Sequence, residues 1–261
     1  MNPLISLVFV VGTILALGRG LDLGLWTDLE TGLCIAGPVG LRYAALGAAV
    51  LVALLAGRKL AREPKNLLDH CKPSGVVTTL AAAFFALAGG LRLVLGLTDV
   101  GAIVRAVLEL LCAVWLALLA KSWLRPDWQL PTKSMASGIW GTLVFYWCIL
   151  SRFMENSSSW HRVSPTAMVW VVLAVLVFLS GLVRALWLPD TADGKALCAS
   201  GLATFVLGFC WELPQTLARL MPSQFVLTNL PDACFGLGLA CIGVLGMFCT
   251  VRTAGSAAKA P

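Results

Sequence analysis

Charged residues are scarce in this sequence: they make up 12% of the 261 residues, against about 25% in ordinary soluble domains. Too few polar side chains are present to cover a soluble core of this size, which excludes a soluble enzyme. The hydrophobic set supplies 59% of the chain, and the mean hydropathy is +0.89. The chain must therefore place apolar surface in lipid.

Motifs for nucleotide, metal or nucleophile chemistry are also missing. The sequence has no Walker GxxxxGK[ST], HExxH, GxSxG or dinucleotide fingerprint. Its two histidines, His70 and His161, have no partners at metal-ligand spacing. We therefore predict no metal and no cofactor, and active transport would need an ion gradient or a partner protein. Nucleic-acid binding is not predicted from the pI near 9.0, because membrane topology explains the basic residues.

The nine cysteines do not indicate a disulfide framework. Their number is odd, most lie inside apolar stretches, and they have no ligand-like spacing. Free buried cysteine behaves as a small hydrophobic residue, which is the role we expect here.

Eight apolar stretches are long enough to cross a membrane, which takes about 20 residues at 1.5 Å each. We expect helices to begin after Ser74, Asp99 and Ser164, and we expect Pro214 to kink or break the seventh stretch near Leu213. The sequence thus predicts an all-α integral membrane protein with a single domain. The stretches are Pro3 to Asp22, Pro38 to Gly57, Gly75 to Leu97, Gly101 to Ala120, Met135 to Met154, Pro165 to Leu188, Ala196 to Met221 and Pro231 to Val251.

Lysine and arginine in the short loops predict the orientation, because such residues concentrate on the cytoplasmic side. Twelve of them fall on one side, so both termini are predicted to be cytoplasmic and the helices to form four outward-joined hairpins. The first stretch lacks a basic flank and a cleavage site, and we interpret it as a retained helix. We expect a bacterial cytoplasmic membrane protein. Tryptophans predicted at headgroup level are Trp123, Trp128, Trp160, Trp187 and Trp211.

The hairpins suggest a tandem repeat over residues 3–57, 75–120, 135–188 and 196–251. A charged residue recurs about 25 Å along each odd-numbered stretch, near the outer edge of the hydrocarbon. These residues are Arg19, Arg92, Arg152 and Glu212. Because all hairpins have the same orientation, the repeat would be a parallel one.

The outer side carries an unusual layer of charge. Its seven basic residues are all arginine, whereas all seven lysines are predicted to be cytoplasmic. Arginine binds carboxylate or phosphate through two bonds, which lysine cannot do. The basic members are Arg19, Arg42, Arg92, Arg105, Arg152, Arg162 and Arg219, and the acidic ones are Asp22, Asp28, Glu30, Asp99, Glu109, Glu155, Glu212 and Asp232.

Glu109 lies deepest, about 12 Å below the outer end of its helix, and Arg105 lies one turn earlier on the same face. One interpretation is an outward-facing site that binds or transports a small anionic or amphiphilic solute. The other is a scaffold or regulatory subunit, with a partner membrane subunit, in which the same charges are structural ion pairs. An enzyme acting on lipid is a third. The candidate site consists of Arg92, Arg105, Glu109, Arg152 and Glu212.

A stripe of small residues marks the second stretch. Ala45, Ala49, Ala53 and Gly57 recur every four residues, so they lie on one helical face. Such a face lets another helix approach closely. We predict internal packing there.

Overall fold

The computed structural model describes residues 2–28, 33–60, 67, 71–95, 99–125, 127, 136–154, 162–221 and 226–255. These residues are almost entirely helical, with one isolated β-bridge among them, between Thr27 and Cys34. In chain order the helices are α1 (Pro3–Leu25), α2 (Val39–Leu60), α3 (Lys72–Leu95), α4 (Val100–Leu124), α5 (Ala136–Met154), α6 (Val163–Trp187), α7 (Gly194–Thr204), α8 (Glu212–Arg219) and α9 (Leu230–Gly255). A π-helical segment, Phe205–Trp211, joins α7 to α8.

Seven of the described segments are long and apolar enough to span a membrane, which fits a multi-pass membrane protein. They are α1, α2, α3, α4, α6, the continuous segment Gly194–Arg219, and Leu227–Ala254 around α9. The fifth predicted span corresponds to α5, which has 19 residues. Its polar and aromatic side chains lower its mean hydropathy, so it is not among the seven.

Helix starts agree with the sequence only in part. Asp99 caps α4 as predicted, since its carboxylate accepts hydrogen bonds from two backbone N–H groups of the first turn. The starts predicted at Ser74 and Ser164 are wrong, because α3 begins at Lys72 and α6 at Val163. Both helices hold a proline in their first turn. A backbone N–H in that turn has no intrahelical acceptor, so a proline there removes no hydrogen bond.

The last two spans form the interior of the bundle. The buried share is 83% in the Gly194–Arg219 span and 67% in the span around α9, against 22% in each of α1 and α2. α9 packs against α3, α6, α7, α8 and the π-helical segment. Glycines permit this approach: a side chain at Gly201 would overlap the backbone carbonyl of Gly246. α1 and α2 are therefore peripheral.

The irregularity in the seventh span is not where Pro214 predicted it. The chain stays helical through Pro214, and the change of geometry falls earlier, over Phe205–Trp211. A π-helix bonds each N–H to the carbonyl five residues back. This wider turn relieves the clash between the proline ring and the preceding turn. The expected break near Leu213 is wrong, because the span is one continuous segment, and the alternative of a kink there stays a prediction.

The small-residue stripe of α2 packs inside the bundle as predicted. Ala49, Ala53 and Gly57 are buried. A side chain at Gly57 would overlap the backbone of Ala199 in α7, so the two helices touch there. Ala45 lies instead on the wall of a groove beside α1.

The two ends of the bundle differ in their basic residues. At what we call the arginine end, α1, α3, α5 and α8 finish and α2, α4, α6 and α9 begin, and the described basic residues there are all arginine. The described lysines lie at the opposite end, the lysine end. They are Lys59, Lys72, Lys121 and Lys195. The tandem hairpin repeat stays a prediction.

Two of the tryptophans expected at headgroup level are buried instead: Trp123 is 0% and Trp211 is 3% exposed. The indole N–H of Trp123 donates to the carbonyl of Leu67 at 2.9 Å. A ring whose N–H finds a partner inside the protein has no need of the headgroup layer. Outside the described residues lie Trp128 and Trp160.

Candidate functional site

Four charged side chains from three helices meet at the arginine end. We name them the α4 cluster: Arg92, Arg105, Glu109 and Asp232. Glu109 is fully buried and accepts hydrogen bonds from Nε of Arg105 at 3.0 Å and from Nε of Arg92 at 3.3 Å. An oxygen of Asp232 lies 2.8 Å from Nη2 of Arg92 and 3.0 Å from Nη2 of Arg105. Two guanidinium and two carboxylate groups make the cluster formally neutral.

Local sequence explains how each member reaches the α4 cluster. Arg105 and Glu109 are one turn apart on α4, and their predicted shared face is confirmed. Arg92 lies in the last turn of α3 and Asp232 in the first turn of α9. The helix dipole favours a cation at the first of these positions and an anion at the second. A charge at hydrocarbon depth costs about 3 kcal/mol on insertion scales, so the four groups gain from neutralising one another.

A cavity of about 290 Å³ opens beside the α4 cluster. We call it the arginine pocket. Its polar lining consists of Arg105, Arg152, Arg219, Asp232, Ser151, Ser164 and Asn229, and its apolar lining includes Met168, Val172 and Phe235. Three guanidinium groups and one carboxylate give the lining a formal charge of +2 (3 − 1).

Arg105 belongs to both the α4 cluster and the arginine pocket. Glu109 holds one edge of its guanidinium, and the ring of Phe235 lies 4.8 Å from the guanidinium carbon. Phe235 is itself fixed by packing, since its centroid lies 5.3 Å from that of Phe85 in an edge-on contact. Arg105 is thereby oriented by a carboxylate and an aromatic face.

The other two predicted site residues lie apart from the α4 cluster. Arg152, in the last turn of α5, is exposed and lines the arginine pocket. Glu212 begins α8 and is 2% exposed. It accepts a hydrogen bond from Thr216 at 3.4 Å and lies 3.8 Å from Nη1 of Arg219. The five-residue site predicted from sequence is therefore divided, and Glu212 does not line the arginine pocket but lies close to Arg219, which does.

A second polar cluster at the arginine end joins α1, α2, α6 and α8. We name it the α1 cluster: Arg19, Asp22, Arg42, Ser164 and Gln215. Asp22 accepts hydrogen bonds from Arg19 and, at 2.7 Å, from Nε of Arg42. Arg19 also donates to Ser164 at 2.9 Å and to Gln215. Its guanidinium carbon lies 4.5 Å from the ring of Trp211, so a cation in the bundle has three polar partners and an aromatic one.

Sequence reasoning placed most of these residues in the outer charge layer but not in the site. For Arg19 and Asp22 a signal existed, since a spacing of three puts both on one face of α1. Asp232 was recognisable only as an outer acid, because its partners lie on other helices. Gln215 is neutral, so the pattern of charged residues could not indicate it.

No group of three or more His, Cys, Asp or Glu side chains among the described residues could hold a metal ion. The nine cysteines are free. Both histidines and Glu155 lie outside the described residues.

Comparisons with protein-family models, curated proteins and solved structures found no match to this chain.

Proposed function

We propose that this protein binds a small anionic solute, carrying a carboxylate or phosphate group, in the arginine pocket. The observation that carries the proposal is the three-to-one excess of guanidinium over carboxylate groups around a cavity of about 290 Å³. Guanidinium binds such groups through paired hydrogen bonds. A volume of about 300 Å³ is at the lower end of the range for ligand sites, which suits a small solute.

The α4 cluster and the arginine pocket have complementary roles in this proposal. Glu109 and Asp232 orient Arg105 and offset the cost of placing its charge at the edge of the hydrocarbon. Arg152 and Arg219 contribute positive charge from α5 and α8, on other walls. The side-chain amide of Asn229, also in the lining, adds a donor that an anion needs when it leaves water.

Binding is tested by thermal unfolding of the whole chain in a mild nonionic detergent. Sodium phosphate or sodium succinate should raise the unfolding temperature relative to sodium chloride of equal ionic strength. A ligand at a hundred times its Kd stabilises by about 2.7 kcal/mol. Arg152→Gln and Arg219→Gln should reduce this shift.

Arg162→Gln provides the matched control, because Arg162 is an exposed arginine at the same end that does not line the arginine pocket. It should leave the shift unchanged. Equal loss in all three variants would point to general charge screening and contradict a site in the pocket. Uptake of the stabilising anion into proteoliposomes would extend binding to transport.

We also propose eight membrane crossings, with α5 as the additional one, in the bacterial cytoplasmic membrane. Both termini and the lysine end would face the cytoplasm, so the arginine pocket would open outward. The support is the collection of lysines at one end, since basic residues stay on the cytoplasmic side. A reporter that fluoresces only in the cytoplasm, fused to the C-terminus, should be bright. A fused phosphatase that works only outside should be inactive, and the reverse result would contradict this orientation.

A non-catalytic scaffold or regulatory subunit with a partner membrane protein is the second candidate. The neutral α4 cluster favours it, because mutual pairing of Arg92, Glu109 and their neighbours suffices to fasten α3, α4 and α9. The same thermal assay separates the candidates. A scaffold predicts no anion-specific shift of the unfolding temperature.

A further inference from the structure

A groove between α1 and α2 has no role in the proposed anion site. Its volume is about 590 Å³, and its walls include Val11, Ile14 and Gly18 from α1 and Ala45 and Ala48 from α2. Trp211 also lines it. None of the residues that line it also lines the arginine pocket. The groove is thus a separate site.

The groove opens toward lipid. α1 and α2 are the least buried of the spans, and the groove residues Ile14 and Leu41 are 65% and 66% exposed. Apolar side chains at the periphery of a membrane bundle meet acyl chains rather than water. An occupant of the groove therefore comes from the bilayer.

One end of the groove is charged. Arg19, Asp22 and Arg42 line it there, and the two guanidinium groups share the single carboxylate of Asp22. Glu212, at the start of α8, also attracts Arg19 electrostatically, and it lies 3.8 Å from Nη1 of Arg219.

Two buried donors at that end have no hydrogen-bond partner: Nε of Arg19 and Nη1 of Arg42. The side chain of Arg19 is only 1% exposed. A buried donor left unpaired destabilises the folded state, so an acceptor in the groove would stabilise the protein.

We propose that the groove holds an acyl chain of an anionic phospholipid, whose phosphodiester accepts hydrogen bonds from Arg19 and Arg42. Depth supports the assignment. Arg19 to Val11 spans about 12 Å of helix and Arg42 to Val52 about 15 Å, close to half of a hydrocarbon core of about 30 Å. The groove therefore runs from headgroup level to the middle of the membrane, which is the reach of a chain in one leaflet. An amphiphile alone matches both its apolar walls and its charged end.

Native mass spectrometry of the whole chain in mild detergent tests this site, with phosphatidylglycerol, phosphatidylcholine and inorganic phosphate as the probes. Ala48→Phe narrows the groove, and Ala44→Phe is its matched control, because Ala44 is also exposed on α2 but does not line the groove. Displacing two methylene groups of a bound chain costs about 1.6 kcal/mol, so Ala48→Phe should weaken phosphatidylglycerol retention about ten-fold. Ala44→Phe should leave it unchanged.

Arg42→Gln tests the charged end. One basic residue near anionic lipid contributes about 1 kcal/mol, so its loss should reduce the preference for phosphatidylglycerol over phosphatidylcholine about five-fold. Equal retention in Ala48→Phe and Ala44→Phe would overturn the proposal even if Arg42→Gln does not fold. Binding of inorganic phosphate alone, undiminished by Ala48→Phe, would overturn it in favour of a free-phosphate site. Equal retention of the two lipids by the unmodified protein would also overturn it.

Discussion

Replacing Glu109 with leucine should destabilise this protein more than any other single change in the α4 cluster. Glu109 is fully buried and faces both Arg92 and Arg105. Without it, the two guanidinium groups share Asp232 alone, whose side chain is 45% exposed. Removing one partner of a buried ion pair costs about 3–5 kcal/mol, because the remaining charge stays desolvated. The formal charge of the cluster rises from 0 to +1.

Combining Glu109→Leu with Arg92→Leu should recover part of that loss. The double variant is formally neutral again and keeps the 3.0 Å contact between Arg105 and Asp232. The two substitutions should therefore be coupled by about 1–3 kcal/mol. The free energy of unfolding is measured by titrating dodecyl sulfate into the protein in mild detergent and following helical circular dichroism. Additivity within about 0.5 kcal/mol would refute a charge-neutralised cluster.

Three further substitutions test packing in the bundle. Gly57→Leu should lower the free energy of unfolding by about 1–3 kcal/mol, because the new side chain forces α2 away from α7. Gly47→Leu is the control, since a side chain there meets open space, and it should have little effect on the unfolding temperature. Equal effects of the two variants would contradict the close approach of α2 and α7. Trp123→Phe should cost about 1 kcal/mol through its lost hydrogen bond, and the exposed Trp140→Phe should cost less; a neutral Trp123→Phe would show that this bond contributes nothing. Pro214→Ala should change the free energy of unfolding by less than about 1 kcal/mol, because the wider π-helical turn before Pro214 already accommodates its ring. A gain in stability near the ~3 kcal/mol cost of a proline inside a regular helix would contradict that accommodation.

The spans and the Arg105–Glu109 contact could be predicted because they depend on local spacing. Hydropathy over about 20 residues identifies a crossing, and a separation of four puts two side chains on one helical face. Asp232 and Gln215 depend instead on which helices become neighbours. A single sequence carries little information about that.

Arg152 and Glu212 show why depth alone could not define the site. Both were predicted at one level near the edge of the hydrocarbon, yet Arg152 lines the arginine pocket and Glu212 does not. Depth follows from the rise per residue, whereas the direction of a side chain follows from rotation about the helix axis, about 100° per residue. The π-helical segment Phe205–Trp211 changes that rotation just before Glu212. A hydropathy pattern does not predict such a change in helical rotation.

The central position of α9 has a consequence for how the chain enters the membrane. Arg92 and its acceptor Asp232 are separated by 140 residues, so α3 and α4 are synthesised and inserted long before α9. Until α9 is inserted, Arg92 and Arg105 must share Glu109 as their acidic partner within the α4 cluster. The growing bundle must leave a lateral opening beside α3, α6 and α7, which α9 enters last. The arrival of α9 brings Asp232, which neutralises the α4 cluster, and fills the interior of the bundle.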